Sequence, residues 1–264
     1  MIGASDFAAG GSGALVGFTL GLIGGGGSVL AVPLLVYVVG VASPHVAIGT
    51  SAVAVAANAF VNLISHWRQG NVRWPCAIVF TITGVIGASL GSIAGKAFDG
   101  KKLLFLFGAL MVAIGVTMLF RKSADDDAFA PLGRGNATTL GPKLVATGGA
   151  VGALSGFFGI GGGFLIVPGL MASAHMPMLS AIGTSLVAVT AFGLTTAVSY
   201  ALSGLVDWRI VAIFIGAGAF GGFAGARAAA HLGAQKATLS RVFATIVICV
   251  GLYVMARGVL TLMG

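Results

Sequence analysis

The sequence predicts an all-α, polytopic helical membrane protein of two homologous repeats, each a glycine-broken helix followed by three spanning helices. Three observations carry that expectation: long stretches without charge, an internal repeat, and two glycine clusters inside the most apolar segments. Charged residues make up 8% of the chain against 58% hydrophobic, and the mean hydropathy is +1.07. Soluble domains run nearer roughly 25% charged. No Asp, Glu, Lys or Arg falls between Asp6 and Arg68 or between Lys143 and Asp207, and a helix needs only about 20 apolar residues to cross a bilayer.

Four hydrophobic segments come first, at about 8–40, 44–66, 74–96 and 103–120. A hydrophilic linker, 121–142, holds the triple aspartate and reads as solvated loop. Four more segments follow at about 143–174, 178–203, 208–230 and 239–261. Gly24 and Pro33 match Gly159 and Pro168 at an offset of 135, and the IGTS run at 48–51 matches 182–185 at 134. Gly84, Gly87 and Gly91 match Gly218, Gly221 and Gly225, also at 134. The organisation is therefore a first transmembrane repeat over 1–120, the linker over 121–142, and a second repeat over 143–264. Glycines four apart on the third segments suit close helix packing in lipid. Trp67, Trp74 and Trp208, beside arginines, read as interface anchors, and Cys76 and Cys249 read as packing residues.

The first segment of each repeat is the anomaly. Residues 9–39 as one helix would run roughly 46 Å, against a hydrocarbon core of about 30 Å. Four consecutive glycines, Gly24–Gly27, break it. The broken segment either crosses once or returns to its own side. Crossing once divides Lys and Arg eight against six; returning divides them nine against five. The positive-inside rule favours the return, which is a re-entrant segment, makes the repeats inverted, and puts the linker and the 68–73 loop in the cytoplasm.

Broken backbone at membrane depth must be buried in protein or line a watery cavity. Freed N–H groups and a half-helix N-terminus make an anion cradle that needs no cationic side chain. The candidate cradles are Gly24, Gly25, Gly26, Gly27 and Ser28, and Gly159, Gly161, Gly162 and Gly163, with half-helices starting near Ser28 and Phe164 and facing each other near the midplane. Thr50, Ser51, Asn58 and Asn62, with Thr184, Ser185 and Thr196 in the second copy, add a polar helix face. Interhelical hydrogen bonding and lining a substrate path both fit that face. Alanine at Gly26, Gly27, Gly161 or Gly162 is expected to remove anion binding and leave folding intact. All six acids are Asp at loops or helix ends, and there is no Glu. Carboxylate sites for metal, sodium or two-acid catalysis are thus disfavoured, and no cofactor or nucleic-acid partner is expected.

The duplicated phrases GGGGSVLAVP (24–33) and GIGGGFLIVP (159–168), each followed by IGTS, resemble the sulfite exporter TauE/SafE family of bacterial membrane proteins. The resemblance covers essentially the whole chain. It implies a multi-pass secondary transporter of the inner membrane that carries a small sulfur-containing anion such as sulfite or an organosulfonate, with protons as a coupling partner. A proton would then ride on the anion or on histidine. An anion channel of the same architecture is the alternative. An intramembrane enzyme would need Cys76 or Ser28 paired with His66, and no recognised spacing supports that.

Overall fold

The computed structural model describes residues 3–120, 137–159, 163–232 and 236–263. Among the described residues it is all-helical. Its α-helices are α1 (Ala4–Ile23), α2 (Ala31–Leu34), α3 (Pro44–Arg68), α4 (Trp74–Ala97), α5 (Gly100–Phe120), α6 (Ala137–Phe158), α7 (Gly163–Ala174), α8 (Met178–Ala201), α9 (Trp208–Leu232) and α10 (Lys236–Met263). Among the described residues, six helices are long and apolar enough to cross a membrane: α1, α3, α4, α5, α8 and α9. Helix starts follow local chemistry. Pro44 opens α3, where the missing N–H costs nothing, and the Ser43 hydroxyl accepts the Val46 N–H. Residues 137–142, expected in the linker, form the first turns of α6, while 121–136 lie outside the described residues.

The glycine run does break the first segment. After α1 the chain passes through a 3₁₀ stretch, Gly24–Leu30, then α2 and a π turn, Leu35–Val39. The stretch after the break packs on α1, with the Thr19 hydroxyl 3.4 Å from the Gly27 carbonyl oxygen. Ser5, Asp6, Val39, Gly40, Asp207 and Arg209 share the wall of one cavity of about 340 Å³. The start of α1, the Val39–Gly40 turn and the start of α9 therefore lie together, tied by an Arg209–Asp6 ion pair at 2.6 Å.

Two parallel helix pairs make the frame. On α1 and α9, Gly13 lies against Phe214, Gly17 against Gly218 and Gly21 against Gly222. On α4 and α6, Gly148 lies against Phe80, Gly152 against Gly84 and Gly156 against Ala88. A Cβ on Gly17 would overlap the Gly218 carbonyl, and one on Gly152 the Gly84 carbonyl. Lipid gives no hydrophobic drive between helices, so this backbone approach supplies the packing. Helix α3 joins α1 and α9, and α8 joins α4 and α6. The two triplets meet along an antiparallel α3–α8 seam, where Gly49 meets Leu205, Ala56 meets Gly193 and Asn71 meets Gly183. Helices α5 and α10 form a second antiparallel pair, Gly108 by Gly251 and Gly115 by Ala244, that touches the rest only lightly.

The outer face of α4 presents Ile78, Ile82, Ile86, Leu90 and Ile93, all exposed in a four-residue rhythm that suits lipid. Cys76 is buried as expected, whereas Cys249 is exposed on α10 and packs nothing inside.

Two outcomes are expected. Gly17→Ala and Gly152→Ala should each cost about 1–3 kcal/mol, since neither backbone neighbour can rotate away; thermal unfolding in detergent measures it. In intact cells, cysteines at Gln69 or Ser123 should resist an impermeant thiol reagent added from outside, while one at Leu202, at the opposite end, should react.

Candidate functional site: two glycine breaks on the α3–α8 seam

Left-handed backbone appears where each broken segment turns. Gly24 has φ +69° and Gly159 φ +65°. At Gly24 a Cβ would come within 2.8 Å of the Ile182 carbonyl oxygen; at Gly159 it would run into the Ile48 side chain. Gly24 thus sits on the second turn of α8, and Gly159 on the second turn of α3. Because α3 and α8 are antiparallel, those points lie toward opposite ends of the seam. His66 places the distance: its Nε2 is 3.1 Å from the Gly21 carbonyl oxygen, just before the first break. From Ile48 to His66 is eighteen residues, roughly 27 Å of helix. The two half-helix starts do not face each other near the midplane, as the glycine phrases alone suggested. The stretch Gly24–Leu30 packs against α7.

The first break is held by the IGTS run of the other half, and the second lies against Ile48 of the first run. The Gly25 N–H donates to Ser185 Oγ at 3.1 Å, and Ser185 Oγ donates to the Ile182 carbonyl at 2.7 Å. Thr184 Oγ1 accepts the Arg73 N–H at 3.0 Å, and Thr50 Oγ1 accepts the Asp207 N–H at 2.9 Å. Those two threonines therefore hold the residues that lead into α4 and α9. Ser51 Oγ donates to the Ile48 carbonyl at 2.8 Å, and Ser28 Oγ to the Gly25 carbonyl at 2.9 Å. Gly27 has no left-handed φ. Its α-carbon faces Thr19 and Leu20 so closely that a Cβ would overlap the α1 backbone. The expectation that alanine there spares folding is corrected: Gly27 is a packing glycine. Gly26 and Gly163 belong to the helical stretches at the two breaks, and Gly161 and Gly162 lie outside the described residues.

The polar face of α3 turns toward α9. Asn58 Nδ2 is 3.4 Å from the Phe214 carbonyl, Asn62 Nδ2 donates to the Asn58 carbonyl at 2.9 Å, and both amides fill the space left by Gly218 and Gly222. The Asn58 bond joins α3 to α9, whereas the Asn62 bond stays within α3. On α8, Phe192 fills the matching space over Gly84, and Thr196 is fully buried. Several buried atoms have no partner among the described residues: Asn58 Oδ1, His66 Nδ1, Thr196 Oγ1, Tyr200 Oη and His45 Nδ1. Outside the spans, Asp99 caps α5. The amide of Lys102 first, then that of Lys101, holds its carboxyl below the ordinary carboxylate range.

A family model described as "Sulfite exporter TauE/SafE" matches residues 9–254. The chain belongs to the sulfite exporter TauE/SafE family. Among its relatives, a protein named "Probable membrane transporter protein" from Xylella fastidiosa is 52% identical over 249 residues, 94% of each chain. "Probable membrane transporter protein YunE" from Bacillus subtilis is 27% identical, covering 93% of this chain and 96% of its own. No solved structure matches the chain. As a TauE/SafE member with six candidate spans, the protein is a multi-pass membrane transporter.

Sequence reasoning missed Tyr200 and Lys96, which lie beside the second break. The signal was available: Tyr200 stands 134 residues after His66, and Lys96 ends the charge-free run 74–95.

Removing the hydroxyl that holds the first break should be costly. Ser185→Ala leaves the buried Gly25 N–H without its acceptor, at about 1–3 kcal/mol. Thr190→Ala, which removes only a bond to the Leu186 carbonyl within α8, should stay within about 0.5 kcal/mol. Chemical unfolding of both variants measures the contrast.

Proposed function

We propose that the protein is a secondary carrier of a small sulfur-containing anion, sulfite or an organosulfonate, and that its halves are inverted repeats with re-entrant glycine-broken segments. The observation that carries this reading is the pair of buried breaks at opposite ends of the α3–α8 seam, in a chain with no acid at membrane depth. Antiparallel packing of helices that match in sequence, α3 with α8, supports the inversion. The repeats would span 1–120 and 143–264.

In this reading the triplet α1, α3, α9 and the triplet α4, α6, α8 rock against each other along the seam, opening one break at a time. Helix N-terminal N–H groups at Gly24–Ser28 and at Gly159–Gly163 replace part of the anion's hydration. Sulfite changes protonation near neutral pH, so the anion itself would bring the coupled proton.

Proteoliposomes loaded with sulfite should take up radiolabelled sulfite faster than empty ones, with saturable kinetics. Linear flux that internal sulfite does not stimulate would favour the channel of the same architecture.

A further inference from the structure

We propose a fixed-charge anion station beside the second break, formed by Lys96, Tyr200 and His45; as a binding place for the transported anion, it rests on the carrier reading. Lys96 is in the last turn of α4, half-buried. Its Nζ is 3.1 Å from the Ser199 carbonyl oxygen and 3.1 Å from Ser203 Oγ, and lies 5.9 Å from the centre of the Tyr200 ring. Among the described residues no carboxylate lies within salt-bridge reach of it; the ion pair there is Arg209 with Asp6. A cation on neutral oxygens alone keeps its full charge for a ligand.

The other two groups each carry an unfilled hydrogen bond. Tyr200 is fully buried, yet its hydroxyl has no partner among the described residues. Buried polar groups in native proteins are nearly always bonded, so such a hydroxyl marks a place for a ligand or water. The His45 ring lies 6.4 Å from the Tyr200 ring, and its buried Nδ1 is also unpartnered. His45 sits in the first turn of α3, where helix N–H groups favour negative charge. The next turn holds Ile48, against which Gly159 turns, and Gly49, which packs on Tyr200 and Leu205. The station is thus one helical turn from the break.

The opposite end is built differently. The positions 134 residues from Lys96 and Tyr200 are Ala230 and His66, and His66 spends its Nε2 on the Gly21 carbonyl. At the matched positions the opposite end therefore has an alanine in place of the lysine and an imidazole in place of the phenol. An ammonium, a phenol and an imidazole grouped about the Tyr200 ring suit a compact oxyanion with several acceptor oxygens.

The test uses the full chain in proteoliposomes and in detergent, with sulfite and methanesulfonate as probes. Lys96→Met should raise the sulfite KM about tenfold and flatten its dependence on ionic strength, whereas Lys96→Arg should stay within about threefold of wild type. Tyr200→Phe should raise KM about threefold. The melting temperature without anion should hold in all three. A KM within twofold of wild type for Lys96→Met overturns the station. So does equal damage from Met and Arg with a lowered melting temperature, which would mean that Lys96 only caps the α8 carbonyls. Linear flux together with Lys96-dependent anion binding would instead overturn the carrier and keep the station; wild type binding neither probe would overturn both.

Discussion

Backbone-to-backbone contact at glycine sets everything else in this fold. Gly17 on Gly218 and Gly152 on Gly84 let α1 lie on α9 and α6 on α4 at a distance no side chain permits. Each pair joins a helix from the N-terminal half to one from the C-terminal half, so neither half packs without the other. Once these pairs form, α3 and α8 have a single way to meet, and the glycine breaks are carried to opposite ends of that seam. The amides of Asn58 and Asn62 use the same glycine spaces, which converts a packing device into a polar seal between α3 and α9.

The second constraint is satisfaction of backbone polar groups away from water. A broken helix exposes N–H groups, and here part of the remedy comes from across the molecule. Ser185 holds Gly25, Thr184 holds Arg73 and Thr50 holds Asp207. The IGTS runs therefore act as clasps at the ends of the seam. A clasp made of one hydroxyl can open and close without uncovering a charge, which suits an element beside an anion path.

Much of the fold was legible in the sequence. Charge-free runs located α3 at 44–66 against the observed Pro44–Arg68, and α4 at 74–96 against Trp74–Ala97. The break at Gly24 was also legible, because four glycines in an apolar run have few other uses. What the sequence withheld is long-range. A repeat shows that two units are alike; it does not say that Gly17 will lie on Gly218, so the opposite placement of the breaks could not be read. Gly27 illustrates the same limit: glycine for a close approach and glycine for a ligand are identical letters. Asn62 fitted interhelical bonding and path lining equally in the sequence, which does not show that its amide lies against Gly222. Lys96 passed as the end of a span, because its meaning depends on Tyr200, more than a hundred residues away.

In the proposed carrier, backbone N–H groups at the glycine breaks meet the anion. Hydrogen–deuterium exchange of the reconstituted protein, with and without sulfite, tests it most directly. Sulfite should slow exchange in peptides covering 24–30 and 159–165 and leave α5 and α10 unchanged. Protection confined to α5 and α10, or absent from both breaks at saturating sulfite, would contradict it.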